Sequence, residues 1–139
     1  MEFIQLNHGW NADPNSPNVK LKIVDLEVIL SFRMNVFQYE NFDESDIGTL
    51  VFHNCLQYRL GSPNDEGFFI YGQDRYKQYG IKWGEFYRIK NSNWQVNFPE
   101  PQRLNEVQNA DNVNHYLFYF RDETFECIAE NYDFFVSRK

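Results

Sequence analysis

The residues best suited to catalysis lie in the segment from His115 to Phe135, HYLFYFRDETFECIAENYDFF, where histidine, glutamate and cysteine occur close together. A histidine beside a carboxylate can act as a general acid–base couple, because the carboxylate orients the imidazole and stabilises its charged form. The candidates for this chemistry are His115, Glu126 and Glu130. No catalytic residue is assigned from the sequence, because the packing of an ordinary hairpin explains the same pattern.

The segment alternates as a β-hairpin that reverses at the polar residues RDET. In that register Phe120 lies opposite Phe125, and His115 lies opposite Glu130. The phenylalanines and the cysteine then face the core, whereas the histidine and the glutamates face water. Histidine and thiol cannot form a nucleophile–base pair in this arrangement. The His115–Glu130 contact is better explained as a cross-strand polar pair on a partly exposed face, worth about 0.2–1 kcal/mol.

One further spacing is compatible with metal binding. His53 and Cys55 are two residues apart in a predicted strand, so both side chains are expected on one face, where they can supply two ligands. A zinc site needs three or four ligands, and the whole chain has 3 histidines and 2 cysteines. Glycine-rich phosphate-binding motifs and metalloprotease motifs do not occur in the sequence. Neither a metal nor a cofactor is therefore predicted.

The segment from residue 71 to residue 87 holds the densest group of aromatic and basic side chains. Tyrosine, tryptophan and arginine anchor many binding interfaces, although core filling also explains aromatic residues in a β domain. The candidate binding residues are Tyr71, Arg75, Tyr76, Trp83, Glu85 and Tyr87. Whether these rings are exposed decides between the two interpretations.

The charge balance limits the kinds of partner. The chain has 13 basic and 20 acidic residues, a net charge of −7, and its basic residues are scattered. Such a surface repels a phosphate backbone, so nucleic acid is not expected, whereas a basic protein would be attracted. No apolar run approaches the ~20 residues of a membrane helix, and the first residues do not resemble a signal peptide. Because two isolated cysteines also suit a reducing compartment, we expect a cytoplasmic protein that does not associate with membranes.

The strand pattern predicts an all-β fold. The 139 residues, of which 19% are aromatic, suffice for one β-rich domain over residues 1–139. Alternation predicts a long strand over Val24–Val36, bent or bulged, and another over Leu50–Leu60. Glu85–Lys90 and Trp94–Phe98 predict a hairpin of two short strands. We expect a mainly antiparallel, single-domain β-sandwich or a curled, barrel-like sheet, with six to eight strands and at most short helical turns.

Three functions are compatible with these features. Because no catalytic motif is present, the favoured one is non-enzymatic protein binding of the immunity or antitoxin type, as in small bacterial proteins. The alternative is a small-ligand-binding or hydrolytic domain with an aromatic-lined pocket that uses His115, Glu126 or Glu130. A pocket lined by convergent polar groups and by tyrosine or tryptophan would favour this alternative. The third is a homo-oligomer formed by pairing of edge strands.

Overall fold

The chain forms two antiparallel β-sheets with ten strands in the part that the structure covers. The computed structural model describes residues 1–61, 63–64, 68, 76–98, 102–104 and 112–138. The strands are β1 (Glu2–Gln5), β2 (Lys20–Val24), β3 (Glu27–Arg33), β4 (Asp46–His53), β5 (Gln57–Gly61), β6 (Phe86–Lys90), β7 (Gln102–Arg103), β8 (Asn114–Tyr119), β9 (Thr124–Ala129) and β10 (Asn131–Arg138). The helical elements whose bounds lie within the described residues are a 3₁₀ turn (Lys77–Tyr79) and one α-helical turn, α1 (Trp94–Asn97).

The strands divide into a sheet of six and a sheet of four. Their orders are β1-β6-β8-β9-β5-β7 and β10-β4-β3-β2. Neither sheet closes on itself, which decides for the sandwich and against the barrel-like alternative. The predicted all-β, mainly antiparallel fold is confirmed, while the ten strands of the described residues exceed the predicted six to eight.

The main core lies between the two sheets. On β3, Val28, Leu30 and Phe32 are buried and alternate with partly exposed residues, as the period of two in the sequence predicts. They pack against a group of large rings from the six-stranded sheet. The core residues of that sheet are Phe86, Tyr116, Phe118, Phe125, Cys127 and Ala129.

The predicted single strand over Val24–Val36 is wrong, because the chain reverses at Asp25 and Leu26. β2 and β3 pair antiparallel, with Val24 opposite Glu27, and the backbone of Asp25 has a φ of 55°. Aspartate adopts this left-handed conformation more readily than most residues. A two-residue turn leaves the alternation of apolar residues uninterrupted, which explains why two strands resemble one in the sequence.

β4 and β5 meet at a corner where the chain passes from one sheet to the other. β4 pairs with β10 and β5 pairs with β9, and between these two ladders three residues, 54–56, oppose two, 129–130. One extra residue on one strand is the mark of a β-bulge. Asn54 begins the corner with a φ of 49°. The predicted strand Leu50–Leu60 is therefore two strands joined by a bulged corner.

The central strands of the six-stranded sheet, β8 and β9, are buried on both faces. The face away from the four-stranded sheet carries Leu117, Tyr119 and Ile128, all of which are fully buried. They are covered by the side chains of Tyr76, Ile81 and Trp83 and by Trp94 of α1. This second layer of packing explains why β8 and β9 are buried along nearly their whole length.

The predicted hairpin of Glu85–Lys90 and Trp94–Phe98 is wrong in its second strand. Trp94 begins a helical turn, and the backbone N–H of Phe98 donates to the carbonyl of Trp94 at 3.2 Å. Both rings are buried against Leu56 and Ile128. Their separation of four residues places them on one side of a helix, whereas a strand of this length would need burial at every second position.

We predict that Gly48→Ala lowers the free energy of unfolding by about 1–3 kcal/mol, the usual cost of overpacking a core. Gly48 lies on β4, and a Cβ atom there would be 2.6 Å from Met34 Sδ and 2.7 Å from a carbon of the Phe32 ring. Chemical denaturation measures the change. Gly61→Ala is the matched control, because its Cβ would meet the flexible end of Arg59 at 3.3 Å. Equal losses in both variants would contradict the packing argument.

Candidate functional site

The hairpin of β8 and β9 forms, but its register differs by two residues from the predicted one. His115 lies opposite Ile128 instead of Glu130, and the connecting loop is residues 120–123. Because the shift is even, each side chain stays on its predicted face. The predicted cross-strand pair of His115 and Glu130 is therefore wrong.

The face that was expected to meet water is buried. His115 and Glu126 are each 2% exposed, because residues 76–83 and α1 cover this side of the sheet. Glu130 is exposed and lies beyond the end of β9, where its Oε2 accepts a hydrogen bond of 2.7 Å from the side chain of Asn54. Of the three candidate catalytic residues, the structure thus brings two together and separates the third.

His115 and Glu126 form a buried acid–base pair. The ring Nε2 of His115 lies 2.8 Å from Glu126 Oε2. Arg59 is directly opposite Glu126 on β5, with Nη1 at 3.6 Å from Oε1. The hydroxyl of Tyr76 donates to Oε2 at 3.4 Å. A carboxylate removed from water needs such compensation, since an unpaired buried charge is strongly destabilising.

A pocket of about 300 Å³ adjoins His115 on the covered face of the six-stranded sheet. Its lining residues are Met1, Tyr76, Tyr79, Ser92, Asn93, Trp94 and His115. The volume is at the lower end of the range for small-ligand sites. Hydroxyl, amide and imidazole groups converge there with three aromatic rings, which is the combination that favours ligand binding over a purely structural role.

The imidazole of His115 has one nitrogen engaged and one free. Its Nδ1 is buried and has no hydrogen-bond partner among the described residues. The Glu126 carboxylate accepts a hydrogen bond from Nε2, and in a neutral imidazole with its proton on Nε2 the other nitrogen, Nδ1, presents a lone pair. An unsatisfied buried acceptor costs about 1–3 kcal/mol. Nδ1 can therefore accept a hydrogen bond from a donor placed beside it.

Sequence reasoning missed Ser92, Asn93 and Trp94 as parts of the site. They follow β6, which pairs with β8, and so the end of β6 lies near His115 at the start of β8. The signal that could have found them is the spacing of Trp94 and Phe98, which predicts a helical turn and hence a layer over the sheet. No local pattern relates these residues to the C-terminal hairpin.

The predicted aromatic binding residues pack into the second core. Tyr76 and Tyr87 are buried, and Trp83 stacks on Tyr119 with ring centroids 4.6 Å apart. The hydroxyl of Tyr87 accepts a hydrogen bond of 2.8 Å from the backbone of Lys82. Tyr76 also lines the pocket at His115, so it is the residue of this group that a ligand in that pocket would touch.

Glu85, another predicted binding residue, anchors the N-terminal segment. Its carboxylate accepts hydrogen bonds from the side chains of Gln5, at 3.1 Å, and Asn7. Asn11 approaches the second oxygen at 3.4 Å. Glu85 is partly buried in this network, which ties the loop after β1 to the start of β6. The remaining candidates, Tyr71 and Arg75, lie outside the described residues.

His53 and Cys55 do not share a face, contrary to the prediction. His53 lies on the outer face of the four-stranded sheet, whereas Cys55, beyond the bend at Asn54, is buried in the main core. Cys127 lies beside Cys55 in that core, as its predicted face requires, and both thiols are free. Burial raises the pKa of the Cys127 thiol, and its contact with Cys55 raises it further.

His53 bridges two carboxylates across three strands. Its Nδ1 lies 2.5 Å from Glu27 Oε2, and its Nε2 lies 2.7 Å from Asp133 Oδ2. The hydrogen bond to Asp133 raises the pKa of His53 above its usual 6.5; partial burial opposes this effect, and Glu27 adds to it. Because the carboxylates bind opposite sides of the ring, they do not converge on one point as metal ligands would. No other group of three such ligands occurs within the described ranges.

Comparison of the chain with protein-family models, with curated proteins and with solved structures found no match in any of the three. The described part of the chain contains no helix with the length and apolar character needed to cross a membrane.

We predict that Glu126→Ala lowers the free energy of unfolding by about 3–5 kcal/mol, because it leaves the partly buried guanidinium of Arg59 and the other donors without their acceptor. Thermal or urea denaturation of the purified variant measures the loss. Glu130→Ala removes an equal side chain from an exposed position, and its expected effect is below about 1 kcal/mol. Similar losses for the two variants would mean that the Glu126 carboxylate is not compensated as described.

We predict that His53→Gln destabilises the protein more at low pH than at high pH. A histidine whose folded pKa is raised contributes stability that is fully present below its unfolded pKa and is lost as the pH rises through the folded value. The difference in unfolding free energy between wild type and variant should therefore be larger at about pH 6 than at about pH 9. Exposed His8 supplies the control, His8→Gln. A His53→Gln difference that is the same at both pH values would refute the assignment.

Proposed function

We propose that the protein binds a small ligand in the pocket at His115. The observation that carries the proposal is that His115, whose buried Nδ1 has no hydrogen-bond partner among the described residues, lines a pocket together with Tyr76, Tyr79 and Trp94. Native proteins rarely leave such an atom unsatisfied, and beside a pocket the missing hydrogen bond can come from a bound group or from an ordered water molecule.

The chemistry of the lining defines the class of ligand. The lone pair at Nδ1 calls for a donor, such as a hydroxyl or an amide N–H. The rings of Tyr76, Tyr79 and Trp94 favour a flat or apolar body beside that donor. Ser92 and Asn93 add a hydroxyl and an amide that can bind further polar groups. A small molecule with a ring and a hydrogen-bond donor satisfies all of these requirements.

The pair of His115 and Glu126 also supports proton exchange with the bound molecule. Glu126 is held in place by Arg59 and Tyr76, so the imidazole is oriented before a ligand arrives. The proposal extends to hydrolysis of the bound molecule, with His115 and Glu126 as the acid–base pair. Glu130 is not part of it, because it lies outside the buried pair.

Protein binding of the immunity or antitoxin type, with a basic partner, stays a prediction from net charge and size. A cytoplasmic location belongs to the proposal as well. It is supported by the two free, buried thiols of Cys55 and Cys127, which suit a reducing compartment.

The proposal predicts that phenol binds at His115 and that anisole, which has the same ring but no donor, binds more weakly. NMR of the isotope-labelled protein should show phenol shifting the imidazole nitrogens of His115 and the indole signal of Trp94. Affinity in the millimolar range is expected for a ligand of this size, at roughly 0.3–1.5 kcal/mol per heavy atom. The difference in affinity between phenol and anisole tests whether the lone pair at Nδ1 accepts a hydrogen bond from the ligand, and it does so without altering the protein.

Two variants test the place of binding. Tyr79→Ala truncates a partly exposed ring of the pocket and should weaken phenol binding, whereas Phe37→Ala truncates an exposed ring elsewhere and should not. Equal affinities for phenol and anisole would show that Nδ1 does not accept a hydrogen bond from the ligand. No shift at His115 or Trp94 with either probe, at concentrations up to about 10 mM, would overturn the proposal.

A further inference from the structure

The four outer edges of the two sheets differ in how they are protected against pairing with another strand. Unpaired edges recruit further strands unless they are short or carry lysine, proline or a bulge. β1 has four residues and β7 has two. β2 has five and carries Lys20 and Lys22. These three edges therefore have the protection that soluble β proteins usually show.

β10 is the longest edge and has neither lysine nor proline over its eight residues, and its charged residues are Asp133 and Arg138. All eight of its residues pair with β4 on one side, and the other side has no partner strand among the described residues. Its middle, from Tyr132 to Val136, contains neither lysine nor proline. Phe135 is 51% exposed, and the neighbouring Val136 is exposed as well.

The inner side of β10 is held firmly enough to present this edge. Arg138 donates two hydrogen bonds to Asp46, at 2.8 and 3.1 Å, and Asp133 contacts His53. Phe134 stacks on Trp10 with ring centroids 3.8 Å apart. β10 is thus fixed at both ends and in the middle, so a second strand would meet a preformed template.

We propose that β10 pairs antiparallel with β10 of a second copy of this chain, about a two-fold axis at Phe135. The two four-stranded sheets would then join into one continuous sheet of eight strands. A two-fold axis perpendicular to a sheet keeps each side chain on its own face, so residues of equal parity lie opposite each other. In this register Phe135 lies opposite Phe135 of the second copy. The other directly opposed pairs are Phe134 with Val136, Asp133 with Ser137, and Tyr132 with Arg138, where the second residue of each pair belongs to the second copy.

The charges of β10 favour a second copy over another protein's strand. Asp133 lies in the first half of the strand and Arg138 at its end, so antiparallel self-pairing sets the acidic half of one copy against the basic half of the other. No two like charges lie directly opposite. Phe135 meets an identical ring, and aromatic pairs of this kind stabilise neighbouring strands. Phe134 and Val136 form an apolar pair beside it.

Analytical ultracentrifugation of the full chain over a range of concentrations tests the proposal. The expected result is a monomer–dimer equilibrium in the micromolar range. Phe135→Lys should weaken the dimer roughly tenfold or more, because it removes the aromatic pair and places two like charges opposite each other. Phe37→Lys is the matched control, since Phe37 is 71% exposed and lies outside β10, and it should leave the equilibrium unchanged. Circular dichroism of both variants shows that the sheets are intact.

Cross-linking gives the register independently of affinity. In an antiparallel pair, opposite Cα atoms are about 4.5–5.5 Å apart, a distance that a disulfide can span. Phe135→Cys should therefore form a disulfide-linked dimer under mild oxidation, while Ile23→Cys on the opposite edge should not. The buried native thiols do not interfere. A wild-type chain that remains monomeric at high concentration would overturn the proposal, as would a dimer that Phe135→Lys leaves intact or that cross-links through position 23.

Discussion

The strands β8 and β9 are covered on both faces, and this burial governs the rest of the structure. A polar side chain on these strands has no water on either side, so its partners must come from the protein itself. Glu126 meets the requirement with His115, Arg59 and Tyr76. The partners come from both neighbouring strands and from the covering segment, so the position of one carboxylate constrains three separate parts of the chain. His115 is paired in this way only at Nε2, and its Nδ1 has no hydrogen-bond partner among the described residues. The same residue lines the pocket.

The sequence predicts which side chains of the C-terminal hairpin share a face, but it does not predict what covers each face. Alternation correctly separates Phe118 and Cys127 from His115 and Glu126, because a strand has a fixed period of two. It says nothing about what covers each face. Leu117 and Ile128 carried the missing information: apolar residues on the supposedly wet face are typical of strands buried on both sides. Turns that preserve alternation are equally invisible, which is why β2 and β3 were predicted as one strand.

The candidate site was predictable in its chemistry and not in its assembly. The histidine and the glutamate of the buried pair lie within one hairpin and were both among the candidates, whereas the walls of the pocket come from Tyr76, Tyr79 and the residues after β6. These segments are distant in sequence, and contacts at such separation leave no local pattern. The partners of charged residues are equally absent from the local sequence pattern. Glu85 was a candidate binding residue in the sequence, yet its carboxylate binds amide side chains of the N-terminal segment. Tertiary packing, rather than composition, decided each of these outcomes.

The bulged corner at Asn54 has a consequence for how the protein unfolds. Both strands of a long ribbon, β4 with β5 and β10 with β9, cross between the sheets at this one place, and backbone hydrogen bonds continue through it from Glu130 to His53 and from Leu56 to Ile128. Unfolding either sheet alone would therefore break backbone hydrogen bonds of this ribbon, which forms part of both sheets. Two sheets joined in this way are expected to melt as one cooperative unit. Their formation depends on contacts between residues far apart in sequence, and slow folding is the usual result of such non-local topology.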